Sequence, residues 1–196
     1  MKITRSISDT GTERTEFEFT QAAGRRCGGC TLCCKLLPVE EIGKHAGERC
    51  RHQRWGKGCA VYRRGLPVSC SLWSCAWLAD AGAAGLPRPD RAHYVVDIVA
   101  DTVRVVPHDG TPPTLLSVIQ VWLDPAFPEA HRDPALRAYI EARAMPALIR
   151  LNSKDAFILS PPNCSPSGQW EEVMTNLNLA VPGANWSKMP GRLRLL

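Results

Sequence analysis

Eight cysteines between positions 27 and 75 constrain this chain more than any other feature: Cys27, Cys30, Cys33, Cys34, Cys50, Cys59, Cys70 and Cys75. A ninth, Cys164, stands apart. A free thiol packs as a small hydrophobe, and a core takes up one or two of them without further purpose. Eight in one short stretch need another stabiliser. Disulfides would serve in a secreted scaffold. The first residues, Met1 to Glu18, mix charges with Ser and Thr and lack the apolar stretch of an export signal. The sequence therefore predicts a cytoplasmic protein whose thiols hold metal.

The spacing sharpens that expectation. Cys27-Gly-Gly-Cys30-Thr-Leu-Cys33 sets three sulfurs at intervals of three, followed directly by Cys34. Two residues between cysteines let the backbone curl until both sulfurs face one ion. Gly28 and Gly29 remove side chains where the curl is tightest. Adjacent residues such as Cys33 and Cys34 normally point in different directions, so one of them either binds a second ion or is a spare. The later group, Cys50, Cys59, Cys70 and Cys75, either completes the first site or builds another. Structural zinc sites pair two separated knuckles, whereas a tandem C-x₂-C-x₂-C is closer to the ligation of an iron–sulfur cluster. Eight thiolates also suit two four-cysteine zinc sites. Both metals stay open, with the cluster slightly ahead.

The run CGGCTLCC at 27–34, Cys50, the segment GCAVYRRGLPVSC at 58–70 and Cys75 together resemble the CxxCxxCC family of zinc- or iron-chelating proteins, which are small and mostly bacterial. The likeness spans about residues 24–78. It departs from the family pattern after Tyr62, where Arg63-Arg64-Gly65-Leu66-Pro67 replaces the usual Arg-Pro, and at Trp73. The resemblance implies metal chelation and no particular reaction.

Charge follows the cysteines. Residues 1–80 hold 13 Lys and Arg against 8 Asp and Glu; residues 81–196 hold 11 against 11. The net charge of +5 thus lies entirely in the cysteine-rich part. Cations compensating an anionic thiolate centre explain this better than a nucleic-acid footprint, although the Arg49 to Arg64 loop keeps a zinc-stapled nucleic-acid- or protein-binding module as the alternative. Trp55, Trp73 and Trp77 read as a shield for the site. His45 and His52 flank Cys50 as spare ligands, but a surface role suits them better. No run approaches the roughly 20 apolar residues of a membrane span. No nucleophile elbow, phosphate loop or metalloprotease motif is present, so no catalytic residue is assigned.

The fold expectation is α+β: an irregular cysteine-rich metal-binding region, 1–85, packed against a small mixed-sheet region, 86–196, with one or two helices and an irregular tail. Strands are predicted at Thr15 to Phe19, Tyr94 to Ala100, Thr102 to Val106, Leu116 to Leu123, Leu148 to Leu151 and Ala156 to Leu159. The second and third of these read as a tight hairpin about Asp101. Helical turns are predicted at Pro38 to Lys44 and Ala76 to Gly85. A full helix is expected from Asp133, a good cap before Pro134, to about Met145. The tail, with Trp170 and Trp186, is expected to fold back over the metal-binding region.

Overall fold

Side chains alternate between the two faces of a strand, and in this protein one ten-residue strand decides the layering. The computed structural model describes residues 2–7, 13–19, 22, 24–62, 65–98, 100–105, 112, 114–173 and 194–195. Its strands are β1 (Lys2–Ile7), β2 (Glu13–Phe19), β3 (Gln53–Arg54), β4 (Gly58–Cys59), β5 (Tyr94–Val96), β6 (Asp101–Val105), β7 (Thr114–Leu123), β8 (Ala147–Arg150), β9 (Ala156–Ser160), β10 (Glu171–Val173) and β11 (Arg194–Leu195). Its α-helices are α1 (Leu32–Leu36), α2 (Val68–Leu72), α3 (Ala76–Ala79), α4 (Pro89–Ala92) and α5 (Pro134–Ala142). The protein is α+β.

The main sheet runs β10-β9-β8-β7-β5, with β6 also paired to β7. Only β7 and β8 are parallel among these pairs. A parallel pair needs a long crossover, and the chain supplies one through a 3-10 turn at Pro128–Arg132 and then α5. Asp133 caps α5 by accepting a 2.8 Å hydrogen bond from the Ala135 N–H, and Pro134 takes the first helical position.

Ile119, Val121 and Leu123 of β7 face α5, whose Leu136, Tyr139 and Ile140 close the main core with Tyr94, Ile149, Phe157 and Leu159. Ala76, Ala83, Leu86 and Ala92, from both sides of the 86–90 segment, enter the same core. The intervening residues of β7 face the other way. Trp122 and its cross-strand neighbour Val95 receive Cys30, Leu32 and Leu36 of the cysteine-rich segment. Val118 joins Val103, Leu148, Ala156 and Ile158 further along that face. The sheet is thus a partition, with α5 on one side and the cysteines on the other.

Several expectations change. β5 and β6 do not form a hairpin with each other; both pair antiparallel with β7, one along each half. The chain does not reverse at Ala100 and Asp101, because β7 is long enough to pair with both segments running in the same direction. Val96 pairs with Val121 and Asp101 with Val118, so five steps along one strand oppose three along the other. The two surplus residues fall between β5 and β6. Pro107-His108-Asp109-Gly110, whose sequence reads as a turn, lies outside the described residues. The segment after Pro38 gives only a 3-10 turn, Glu40–Ile42, because Gly43 follows in the left-handed region at φ 64°. Ala76 to Gly85 breaks into α3 and a 3-10 turn, Ala81–Ala83. Asp80 is extended there and accepts from the Gly82 N–H instead of continuing the helix. Strand β10 was not expected. Trp170 packs on the α5 side of the sheet, with the Arg137 guanidinium 5.0 Å from its ring, rather than over the cysteines. Trp186 lies outside the described residues. No described helix is long and apolar enough to cross a membrane.

Asp80 joins the cysteine side of the chain to α5. Its carboxylate accepts from the Tyr139 hydroxyl at 3.0 Å and pairs with Arg143. Asp80→Ala leaves the buried Tyr139 and the half-buried Arg143 without this acceptor. The expected loss is about 2 kcal/mol, read as a fall of about 5 °C in the melting temperature.

Candidate metal centre

The leading cysteines are held by a turn and a short helix. The Cys30 N–H bonds to the Cys27 carbonyl at 3.0 Å, with Gly28 between them at φ 47°. Helix α1 then turns Leu32 and Leu36, one helical turn apart, onto Trp122 and Val95. Their burial fixes the orientation of α1, and with it Cys33 and Cys34. Thr31 ahead of the helix accepts a 2.8 Å hydrogen bond from Gln53 in β3.

The later cysteines arrive by separate routes. Cys50 donates its N–H to the Cys34 carbonyl at 2.9 Å. Cys59 sits in β4, opposite Gln53. Cys70 lies in α2, which is tethered by Glu41 accepting from the N–H and hydroxyl of Ser69 at 2.8 and 2.7 Å. Cys75 precedes α3 and forms an isolated bridge with Asp97 beside β5, which ties it to the sheet. The backbones here pass very close. A side chain on Gly58, at φ 91°, would meet the Gly28 carbonyl oxygen at 2.5 Å, and one on Gly29 would meet the Gly56 oxygen at 2.7 Å. Gly58→Ala is therefore expected to cost about 2 kcal/mol from backbone strain alone. Its metal content should fall with its melting temperature, whereas Gly47→Ala, with open space around it, should suffer strain only.

The thiols fall into two electrostatic neighbourhoods. Burial pushes Cys75 up to about 12, with Cys30 and Cys27 raising it further. Burial likewise takes Cys27 to about 11, and Cys30 leads the thiols that add to it. Cys30 is also raised by burial. Cys33 stands well above the ordinary thiol range because it donates to Cys34, because it is buried, and because Cys34, Cys27 and Cys75 surround it. Cys34 drops to about 7: Cys33 donates to it, burial opposes, and Lys44 lies near. Cys59 is raised by burial and then by Cys34 and Cys50. Cys70 is raised in the same way, with Cys59 joining Cys34 and Cys50; because it is exposed as a residue, water screens much of that push.

One neighbourhood therefore gathers Cys27, Cys30, Cys33 and Cys75, and the other Cys34, Cys50, Cys59 and Cys70. They meet at the Cys33–Cys34 pair and at Cys27, which also senses Cys34 and Cys59. Each has its own cation. Buried Lys44 sits beside Cys50, Cys34 and Cys33, and donates to the Leu37 and His45 carbonyls. Arg88, paired with Asp90 at 2.6 Å, faces Cys30 and Cys27. Sequence reasoning foresaw compensating cations without finding these two. Lys44 carried a signal only in hindsight, as a lysine between Cys34 and Cys50.

Among the described residues, no three His, Cys, Asp or Glu side chains are closed around a point as a metal requires. The donor chemistry nevertheless fits one: soft thiols, with Lys44 and Arg88 beside them, select zinc or iron–sulfur over hard ions. His45 is exposed, while the His52 ring accepts from Arg51 and its backbone N–H donates to the Cys50 sulfur, each at 3.4 Å. Cys164 is exposed in the turn after β9. Trp73 does cover the site, donating to Asp97 at 2.8 Å. Trp77 packs into the main core, while Trp55 is 76% exposed and shields nothing. Comparison with protein-family models, curated proteins and solved structures gave no match.

Proposed function

We propose that this is a metalloprotein with two four-thiolate centres on one face of its sheet. Cys27, Cys30, Cys33 and Cys75 form the first; Cys34, Cys50, Cys59 and Cys70 form the second. The observation that supports the reading is that Cys33 lies within electrostatic reach of Cys27 and Cys75, and Cys70 within reach of Cys34, Cys50 and Cys59. The first quartet has the ligation style of an iron–sulfur cluster, three close cysteines and a remote fourth. The second, with its scattered spacing, suits structural zinc as well. Bound metal would supply cross-linking of the irregular segment and, if it is a cluster, a one-electron couple. The chain's own residues supply the rest: Trp73 and Trp122 limit water, while Lys44 and Arg88 balance charge. Thiolate ligation of this kind belongs in a reducing compartment, which supports a cytoplasmic location. The likeness to the CxxCxxCC pattern points the same way.

The test is anaerobic purification followed by an absorption spectrum, metal analysis and sulfide assay on one sample. About four iron and four sulfide with zinc, or two zinc alone, fit two centres. A folded protein with neither metal would sink the proposal.

A further inference from the structure

Trp55 is the feature the metal reading leaves unexplained. It stands in the three-residue loop joining β3 to β4, with 76% of its surface exposed. The other described tryptophans, Trp73, Trp77, Trp122 and Trp170, all pack against apolar clusters. Singly exposed apolar residues are common; what sets Trp55 apart is the charge gathered around it. The Arg49 guanidinium lies 5.1 Å from the centroid of its ring and backs one face. Arg51, Arg54 and Lys57 are exposed on the same segment. Residues 49–62 contain no Asp or Glu, and none of these four cations forms an ion pair among the described residues.

We propose that this hairpin is a contact site for single-stranded nucleic acid. An unpaired base stacks on the free face of Trp55, while Arg51, Arg54 and Lys57 meet the neighbouring phosphates. Protein hot spots seat an aromatic in an apolar surround. Here the surround is cationic, which is the arrangement that pairs base stacking with backbone charge. A duplex hides its base faces, so the ring selects single strands. The hairpin is flanked by Cys50 and Cys59, which lie in the second quartet, so the contact is held on the same framework as the metal. The inference does not depend on which metal is bound.

The experiment uses the full-length protein as purified, with metal content and melting curve read on every variant. Fluorescence anisotropy follows labelled thymidine and uridine oligomers of about 20 nucleotides, with a duplex and a polyglutamate peptide as competitors. Both single strands are expected to bind at low salt, and preference between them tells DNA from RNA. Trp55→Ala should weaken binding about tenfold or more, since a stacked base contributes that much, while Trp55→Phe retains most of it. Each of Arg51→Gln and Arg54→Gln should flatten the plot of log affinity against log salt by about 0.7. If Trp55→Ala lowers metal content or melting, Trp55→Phe and the salt slopes decide. No binding at low salt overturns the proposal. So does displacement by duplex or polyglutamate as readily as by unlabelled strand, which would mark an acidic or unspecific partner.

Discussion

Cys75→Ser and Cys70→Ser, five positions apart, are expected to remove different metals. Cys75→Ser should lose the centre built with Cys27, Cys30 and Cys33, and keep the one built on Cys34, Cys50 and Cys59. Cys70→Ser should do the reverse. The two thiols sense different partners: α2, which carries Cys70, is tethered to Glu41 through Ser69, whereas Cys75 is bridged to Asp97. A structural zinc site contributes on the order of 10 kcal/mol of binding free energy to folding. That is comparable to the whole stability of a domain, so each variant should lose tens of degrees in melting temperature or melt in two steps. Metal-to-protein ratios for the pair decide the matter. If either serine removes all metal, the eight thiols serve one centre and the partition is wrong.

What the sequence could show of this site was what neighbouring residues determine. The curl of Cys27 to Cys33 is written in its spacing and glycines, and α5 in Asp133-Pro134 and its apolar face. The surroundings of Cys75 were not readable, because they depend on where the chain ahead of α3 docks: Cys75 is bridged to Asp97 beside β5. The error at β5 and β6 has the same origin. Local propensity marked both strands, running the first past its end at Val96, but the ten-residue β7 offered each a partner along its own half, a non-local choice that no short window displays. Trp55 shows the reverse case. Its basic surroundings were visible in sequence, yet only its exposure separates a binding residue from a shield.

Trp122→Ala tests how the metal layer is anchored. Trp122 is 2% exposed and belongs to the sheet face that receives Cys30, Leu32 and Leu36. Its indole N–H donates to Gln120 at 2.9 Å, and buried Arg150 lies with its guanidinium 5.3 Å from the ring. Truncation should cost about 3 to 5 kcal/mol from the cavity and lost contacts. Leu136→Ala, in α5 on the opposite face and also fully buried, should cost a similar 2 to 5 kcal/mol, or roughly so. The two should differ in metal retention. Removing Trp122 takes away the floor on which α1 orients Cys33 and Cys34, so a chelator should strip that variant many times faster than wild type at a temperature where both are folded. Leu136→Ala should release metal at nearly the wild-type rate, because the sheet stands between α5 and the thiols. Equal acceleration in both variants would mean that metal leaves only when the whole domain opens, and the cysteine layer would then have no separate hold on the sheet.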